Sequence, residues 1–183
     1  MAFFLPTSIV GLYSVAYTIV SFIAIPADPL ISTTFPEINR LIVQKAWPQL
    51  KDFLRKITTL SLAYNLVLGL GFILFGRWII LIYSGEEFLN AYPALVALTI
   101  GIVFNYILFW NRPLLLSLGL PDFPIWVTLI VGLIKVMLAF WLIPKYGIVA
   151  AGALLSFYYI ASVGIMALRG VNEIKRVESR EQS

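Results

Sequence analysis

The chain has no cysteine and no histidine in 183 residues, and only 12% of it is charged. The first two absences remove thiol nucleophiles, disulfides, cysteine/histidine zinc sites and imidazole proton relays together. The third lies far below the roughly one quarter of charged residues found in a soluble domain. With 61% hydrophobic residues and a mean hydropathy of +0.94, the expected solvent for most of the chain is lipid. Also missing are a Walker loop, a GxGxxG fingerprint and any pair of carboxylates inside an apolar run, since Glu86 and Glu87 fall in a turn. No cofactor and no enzymatic activity are therefore expected. The N-terminal stretch has no positively charged leading region, and its apolar run outlasts a signal-peptide core, so it reads as a retained span.

Five segments are long and apolar enough to cross a hydrocarbon core of about 30 Å, which takes about 20 helical residues. They fall at roughly 8–35, 57–83, 90–111, 123–143 and 147–168, so the expected fold is an all-α polytopic bundle. The net charge of +4 comes from basic residues at the ends of these runs rather than from a stripe on a polar face, so no nucleic-acid partner is expected. The segment 38–56 after the first run carries Arg40, Lys45, Lys51, Arg55 and Lys56, and a polar tail at 169–183 carries Arg169, Lys175, Arg176 and Arg180. The turn holding Glu86 and Glu87 is acidic, and the turn at 144–147 has only Lys145. By the positive-inside rule the basic link and tail are cytoplasmic, which puts the N-terminus outside a cytoplasmic membrane and the C-terminus inside. Within the basic link, Leu50, Phe53, Leu54 and Ile57 recur at helical spacing opposite Lys51, Asp52 and Arg55, with Pro48 suited to a first turn. This is either a short interfacial helix feeding the second span or a basic stop-transfer flank. Trp47, Trp78, Trp110, Trp126 and Trp141 fall near proposed span ends and read as a lipid-interface belt.

In lipid, packing faces show themselves as small and polar residues, because helices gain nothing by hiding leucine from hydrocarbon. Each run has such a stripe. The first holds Ser14, Tyr17, Ser21, Ala24, Asp28 and Ser32, and the second Thr58, Ser61, Asn65, Gly69 and Gly76. The third holds Ala94, Ala97, Gly101, Asn105 and Arg112; the fourth Thr128, Gly132, Lys135 and Ala139; the fifth Gly152, Ser156, Tyr159 and Ser162. Lys135 is the sharpest of these, about 18 Å into its run, where a lysine costs roughly 2.5 to 3.5 kcal/mol. It either snorkels half the membrane or faces a polar cavity. Asp28, between Pro26 and Pro29, is a cavity residue or an accessory of a helix kink, and Arg112 is an interfacial anchor or a ligand. Lys135, Arg112, Asp28, Asn105 and Asn65 are the candidate substrate-binding residues.

Several local patterns share one likeness. GLYSVAY at 11–17, FPEINRL at 35–41, YSGEEFLNAYPALVAL at 83–98, NRPLLLSLGLPD at 111–122 and IKVMLAFWLIPKYGIVAAGAL at 134–154 together resemble the C-terminal lobe of polysaccharide-export flippases of the MATE-like exporter superfamily, over about 9–168. The resemblance implies two helical lobes around a central cavity that opens to either side in turn. It also implies an undecaprenyl-diphosphate-linked sugar as cargo, with cationic residues, here Lys135 and Arg112, near the diphosphate. The chain resembles only the last spans of such a protein, so the implied partners, beyond the bilayer, are a separate first-lobe subunit or a second copy of the chain. Two other functions stay open: a membrane scaffold or assembly protein that keeps the lobe without a pathway, and a drug or ion exporter, for which Asp28 is the one intramembrane coupling carboxylate in the sequence.

Overall fold

The computed structural model describes the backbone of residues 7–25 and 28–181 and the side chains of 9–25 and 30–180. Within them every element is helical: α1 (Thr7–Ser21), α2 (Asp28–Val43), α3 (Trp47–Ser84), a 3₁₀ segment (Glu86–Ala91), α4 (Tyr92–Ile107), α5 (Asn111–Ser117) and α6 (Asp122–Glu181). Three stretches are long and apolar enough to cross a membrane: 47–84, 86–117 and 122–180. The last is long enough for two crossings. Gly147 (φ 61°, ψ −140°) reverses α6 into a hairpin of two limbs, 122–146 and 148–181. Phe123 accordingly meets Arg169, and both Gly132 and Lys135 meet Tyr158. A side chain at 147 would touch no neighbour, so a substitution there acts through the backbone alone. Gly147→Val should lower stability by about 1 to 3 kcal/mol, measured as a shift in the denaturation midpoint in detergent, because the dihedrals are close to a region essentially reserved for glycine.

The first expected span is two helices. The chain turns at Phe22–Ile25 and restarts at Asp28, where Pro29 sits in the first turn and loses no helical hydrogen bond. α1 packs on α4 and the 3₁₀ segment, and Phe22 lies edge-on to Tyr83 at 6.3 Å, at the end of the bundle that carries Glu86 and Glu87. α2 packs on α5 and the start of α3, with Ile38 and Leu41 buried among Trp47, Leu50, Leu54 and Ile174 at the basic end. The stripe expected to face the bundle from the first span does so only in part: Ser21 and Ala24 are half-buried and Tyr17 lies in range of Tyr159 on the second limb of α6. Ser14, Tyr17 and Ser32 are exposed, while Ala16, Ile19, Val20 and Ile23 are buried. The physical reason is local: Ser14 and Ser21 donate to the carbonyls of Val10 and Tyr17 on their own helix, so they need no polar interior.

Most residues of the other four stripes turn inward, Arg112 being the exposed exception. Ser61, Asn65, Gly69 and Gly76 on α3, Ala94 and Gly101 on α4, and Gly152, Ser156 and Ser162 on the second limb of α6 are buried, with Gly132, Lys135 and Ala139 half-buried on the first limb. The tightest crossing joins α4 to the second limb. The Gly101 N–H donates to Ser156 Oγ at 3.0 Å, and Ser156 Oγ donates to the Ala97 carbonyl. Small residues at 152 and 156 let the two backbones approach closely, as in small-xxx-small pairs of membrane helices.

Three further expectations need adjustment. The amphipathic link is the first turns of α3 itself, with Leu50 and Leu54 buried and Lys51, Asp52 and Arg55 exposed. The tail from 169 is helix to Glu181, anchored by buried Ile174 and by an ion pair between Lys51 and Glu178. Trp47 and Trp110 are not in a lipid belt but in the core, 6% and 5% exposed, whereas Trp78, Trp126 and Trp141 are exposed. Trp110 can be buried because its indole N–H donates to Thr58 Oγ1 at 2.7 Å.

Candidate functional site

The third expected span, 90–111, is broken as well. α4 stops at Ile107, and α5 starts at Asn111 and runs on to Ser117. The break falls inside the apolar stretch 86–117, so backbone groups that a continuous helix would pair need other partners. Asn111 supplies one: its backbone N–H and its side-chain Nδ2 donate to the Leu108 carbonyl, at 3.0 and 2.7 Å. That commits the amide nitrogen and leaves Asn111 Oδ1 buried with no hydrogen-bond partner among the described residues.

A cleft of about 480 Å³ opens at this break. Two apolar clusters flank it. One contains Ala16, Ile80, Leu95 and Leu98 toward the Glu86 end, and the other Leu50, Trp110, Leu114 and Ile174 toward the basic end. Ile31 of α2, Asn105 and Tyr106 of α4, Arg112 of α5, and Tyr158, Tyr159 and Ser162 of α6 line the cleft. Tyr158 and Tyr159 are edge-on to each other at 5.6 Å, and Tyr17, Tyr106 and Arg112 lie within electrostatic range of Tyr159. The Ser162 hydroxyl donates to its own helix at Tyr158, and the other polar groups lining the cleft are the Arg112 guanidinium, the Asn105 and Asn111 amides and the tyrosines.

The five sequence candidates are distributed unevenly. Arg112 and Asn105 line the cleft together. Arg112 is exposed in the first turn of α5, which runs on through the buried Leu114 and Leu115. Lys135 is one ring removed: its Nζ sits over the Tyr158 ring at 5.2 Å, and Tyr158 lines the cleft. A cation over an aromatic face recovers about 0.5 to 2 kcal/mol, which offsets part of the cost of an ammonium at that depth. Asn65 is buried on α3 and lines a smaller pocket of about 200 Å³, which shares Tyr106 and Phe109 with the main cleft. Its Nδ2 donates to the Ser61 carbonyl at 2.8 Å. The side chain of Asp28 lies outside the described residues.

Asn111 and the tyrosines at 106 and 158 escape the sequence reading. Asn111 stands beside Arg112 in the run FWNR, and the signal that could have flagged it is a polar pair directly after an apolar stretch that continues past it. Among the described residues no group of three or more His, Cys, Asp or Glu side chains is placed to hold a metal ion, so the chemistry this cleft offers is hydrogen bonding, stacking and positive charge. Comparison with protein-family models, with curated proteins and with solved structures finds no match to this chain.

Proposed function

We propose that this chain is part of a flippase for a lipid-linked oligosaccharide, with the cleft at the α4–α5 break as its headgroup site. The observation that carries the reading is that break. Discontinuous helices near the middle of a membrane, with irregular backbone lining a cavity, are how many transporters build substrate sites. The residues at the break fit a ligand that is both anionic and rich in hydroxyls. Arg112 offers charge-assisted donors to a diphosphate, the tyrosine rings offer faces to sugar rings, and the unpaired Asn111 Oδ1 matches a hydroxyl donor.

In this reading the bundle sits in a cytoplasmic membrane with its basic end inside. Support comes from Lys51, Arg55 and Lys56 gathering at the same end as Lys175 and Arg176, away from Glu86 and Glu87. Alternating access then needs the cleft to open toward each end in turn, which is the task of the partner lobe or second copy.

The test is binding to the full chain in detergent. An undecaprenyl-diphosphate-linked oligosaccharide should bind more tightly than undecaprenyl phosphate, and a neutral glycolipid with the same sugar should bind weakest. Equal binding of all three would show that neither diphosphate nor sugar is recognised and would remove the reading.

A further inference from the structure

We propose that a second site, at the basic end of the bundle, holds an anionic phospholipid with its phosphate between Arg55 and Lys175 and an acyl chain in the apolar slot beneath. The slot lies between α3 and the second limb of α6, with Trp110 as its floor. Its volume of about 320 Å³ is at the lower end of the range for small-ligand pockets.

Charge and apolar surface are arranged in layers here. Leu54, Trp110, Val171 and Ile174 supply apolar walls. The hydroxyls of Thr58 and Thr59 are spent on their own helix, donating to the carbonyls of Leu54 and Arg55, and Thr58 also accepts from the Trp110 indole. Lys51, the third basic residue of the rim, is paired with Glu178. That leaves Arg55 and Lys175, both exposed and in no ion pair among the described residues, as the free donors of the described lining. An occupant therefore needs an anionic head and an apolar body, in that order from the bundle end inward.

The depth is also right. On α3 the charged run Lys51–Lys56 gives way at the slot to the exposed apolar residues Leu60 and Leu62, and on α6 exposed Ile165 and Leu168 lead into Lys175. The slot therefore straddles the level where headgroups meet acyl chains. Basic pockets between helices at that level bind anionic lipid heads. This proposal needs only that the chain sits in a membrane and does not depend on the cargo of the central cleft.

The experiment uses the full chain in a neutral detergent. Native mass spectrometry counts adducts of phosphatidylglycerol, of phosphatidylcholine with the same acyl chains, and of inorganic phosphate. Trp78, Trp126 and Trp141 are exposed, so contact with Trp110 is read as the part of the tryptophan quenching by acyl-brominated versions of both lipids that Trp110→Phe removes. Phosphatidylglycerol is expected to bind at least tenfold more tightly than phosphatidylcholine, and millimolar phosphate is expected not to displace it. Arg55→Gln with Lys175→Gln should weaken phosphatidylglycerol about 30-fold, each basic residue near a membrane surface contributing a factor of about five. Lys145→Gln, at the other end of the bundle, should leave binding unchanged. Equal binding of the two lipids, an unchanged affinity in the double variant, or full competition by phosphate would each overturn the proposal. If the double variant does not fold, the comparison of the two lipids on the unaltered chain still decides it.

Discussion

Gly101→Ala should destabilise the bundle more than any other single-methyl addition at a helical glycine, by about 3 kcal/mol. A Cβ at 101 would stand 2.6 Å from Ser156 Cβ and nearer still to its Cα, and the atom in the way is backbone, which no rotamer change can move. Overpacking of this kind costs about 1 to 3 kcal/mol. Separating the helices also breaks the paired hydrogen bonds from Gly101 to Ser156 and from Ser156 to Ala97, each worth about 0.6 to 1.7 kcal/mol between membrane helices. Against a total stability of about 5 to 15 kcal/mol this is a large fraction. Gly71→Ala is the matched control, since nothing lies within reach of a Cβ there and it should gain about 0.5 to 1 kcal/mol from helix preference. Denaturant titration of both variants in the same micelle is the measurement. Equal midpoints for the two would mean that α4 and the second limb of α6 are not in close contact.

The second large effect is expected at Arg112. Replacing it with glutamine removes the only cation that lines the cleft among its described residues, and should weaken an anionic lipid-linked sugar about 10- to 100-fold, the usual worth of hydrogen bonds to a charged group. Arg112→Glu should weaken it further, because like charge is added to lost donors. Lys135→Gln should cost less, since the Lys135 ammonium rests on the Tyr158 ring and acts on the cleft through that ring. Titration of the three variants with one ligand ranks them. A Lys135 variant weaker than the Arg112 variant would reverse the geometry proposed for the site.

The bundle was legible in the sequence because membrane packing faces consist of small residues, and α3, α4 and the two limbs of α6 follow that rule. The α1 stripe misled in part, because serine in a helix can satisfy itself against the carbonyl four residues back, as the exposed Ser14 does. A polar stripe is therefore not always an interior. The prolines around Asp28 did announce a break, but one read as a kink within a span is a turn between two helices. The break after Ile107 carried no such signal. Pro113 follows it by several residues, where it fits the first turns of α5. At the break the Asn111 amide closes on the Leu108 carbonyl, a local contact that hydropathy and spacing do not display. Hence Arg112 could be named from sequence as a candidate, while the cleft it lines could not. Lys135 stood out in the sequence as a charge whose cost something should offset, and in the fold its ammonium sits over the Tyr158 ring.

α3 has a mechanical consequence. Its 38 residues contain no proline after Pro48, and at 1.5 Å per residue they make a rod about 57 Å long. That is nearly twice the roughly 30 Å hydrocarbon thickness, so part of the rod stands outside the lipid. A rod of that length is a lever: tilting it by about 10° about one end carries the other through about 10 Å. Its basic end is tied to the C-terminal helix through Lys51 and Glu178, and its far end reaches α1 through Tyr83 and Phe22. In a membrane, a tilt of this rod would join a displacement at one face to one at the other without any helix having to bend.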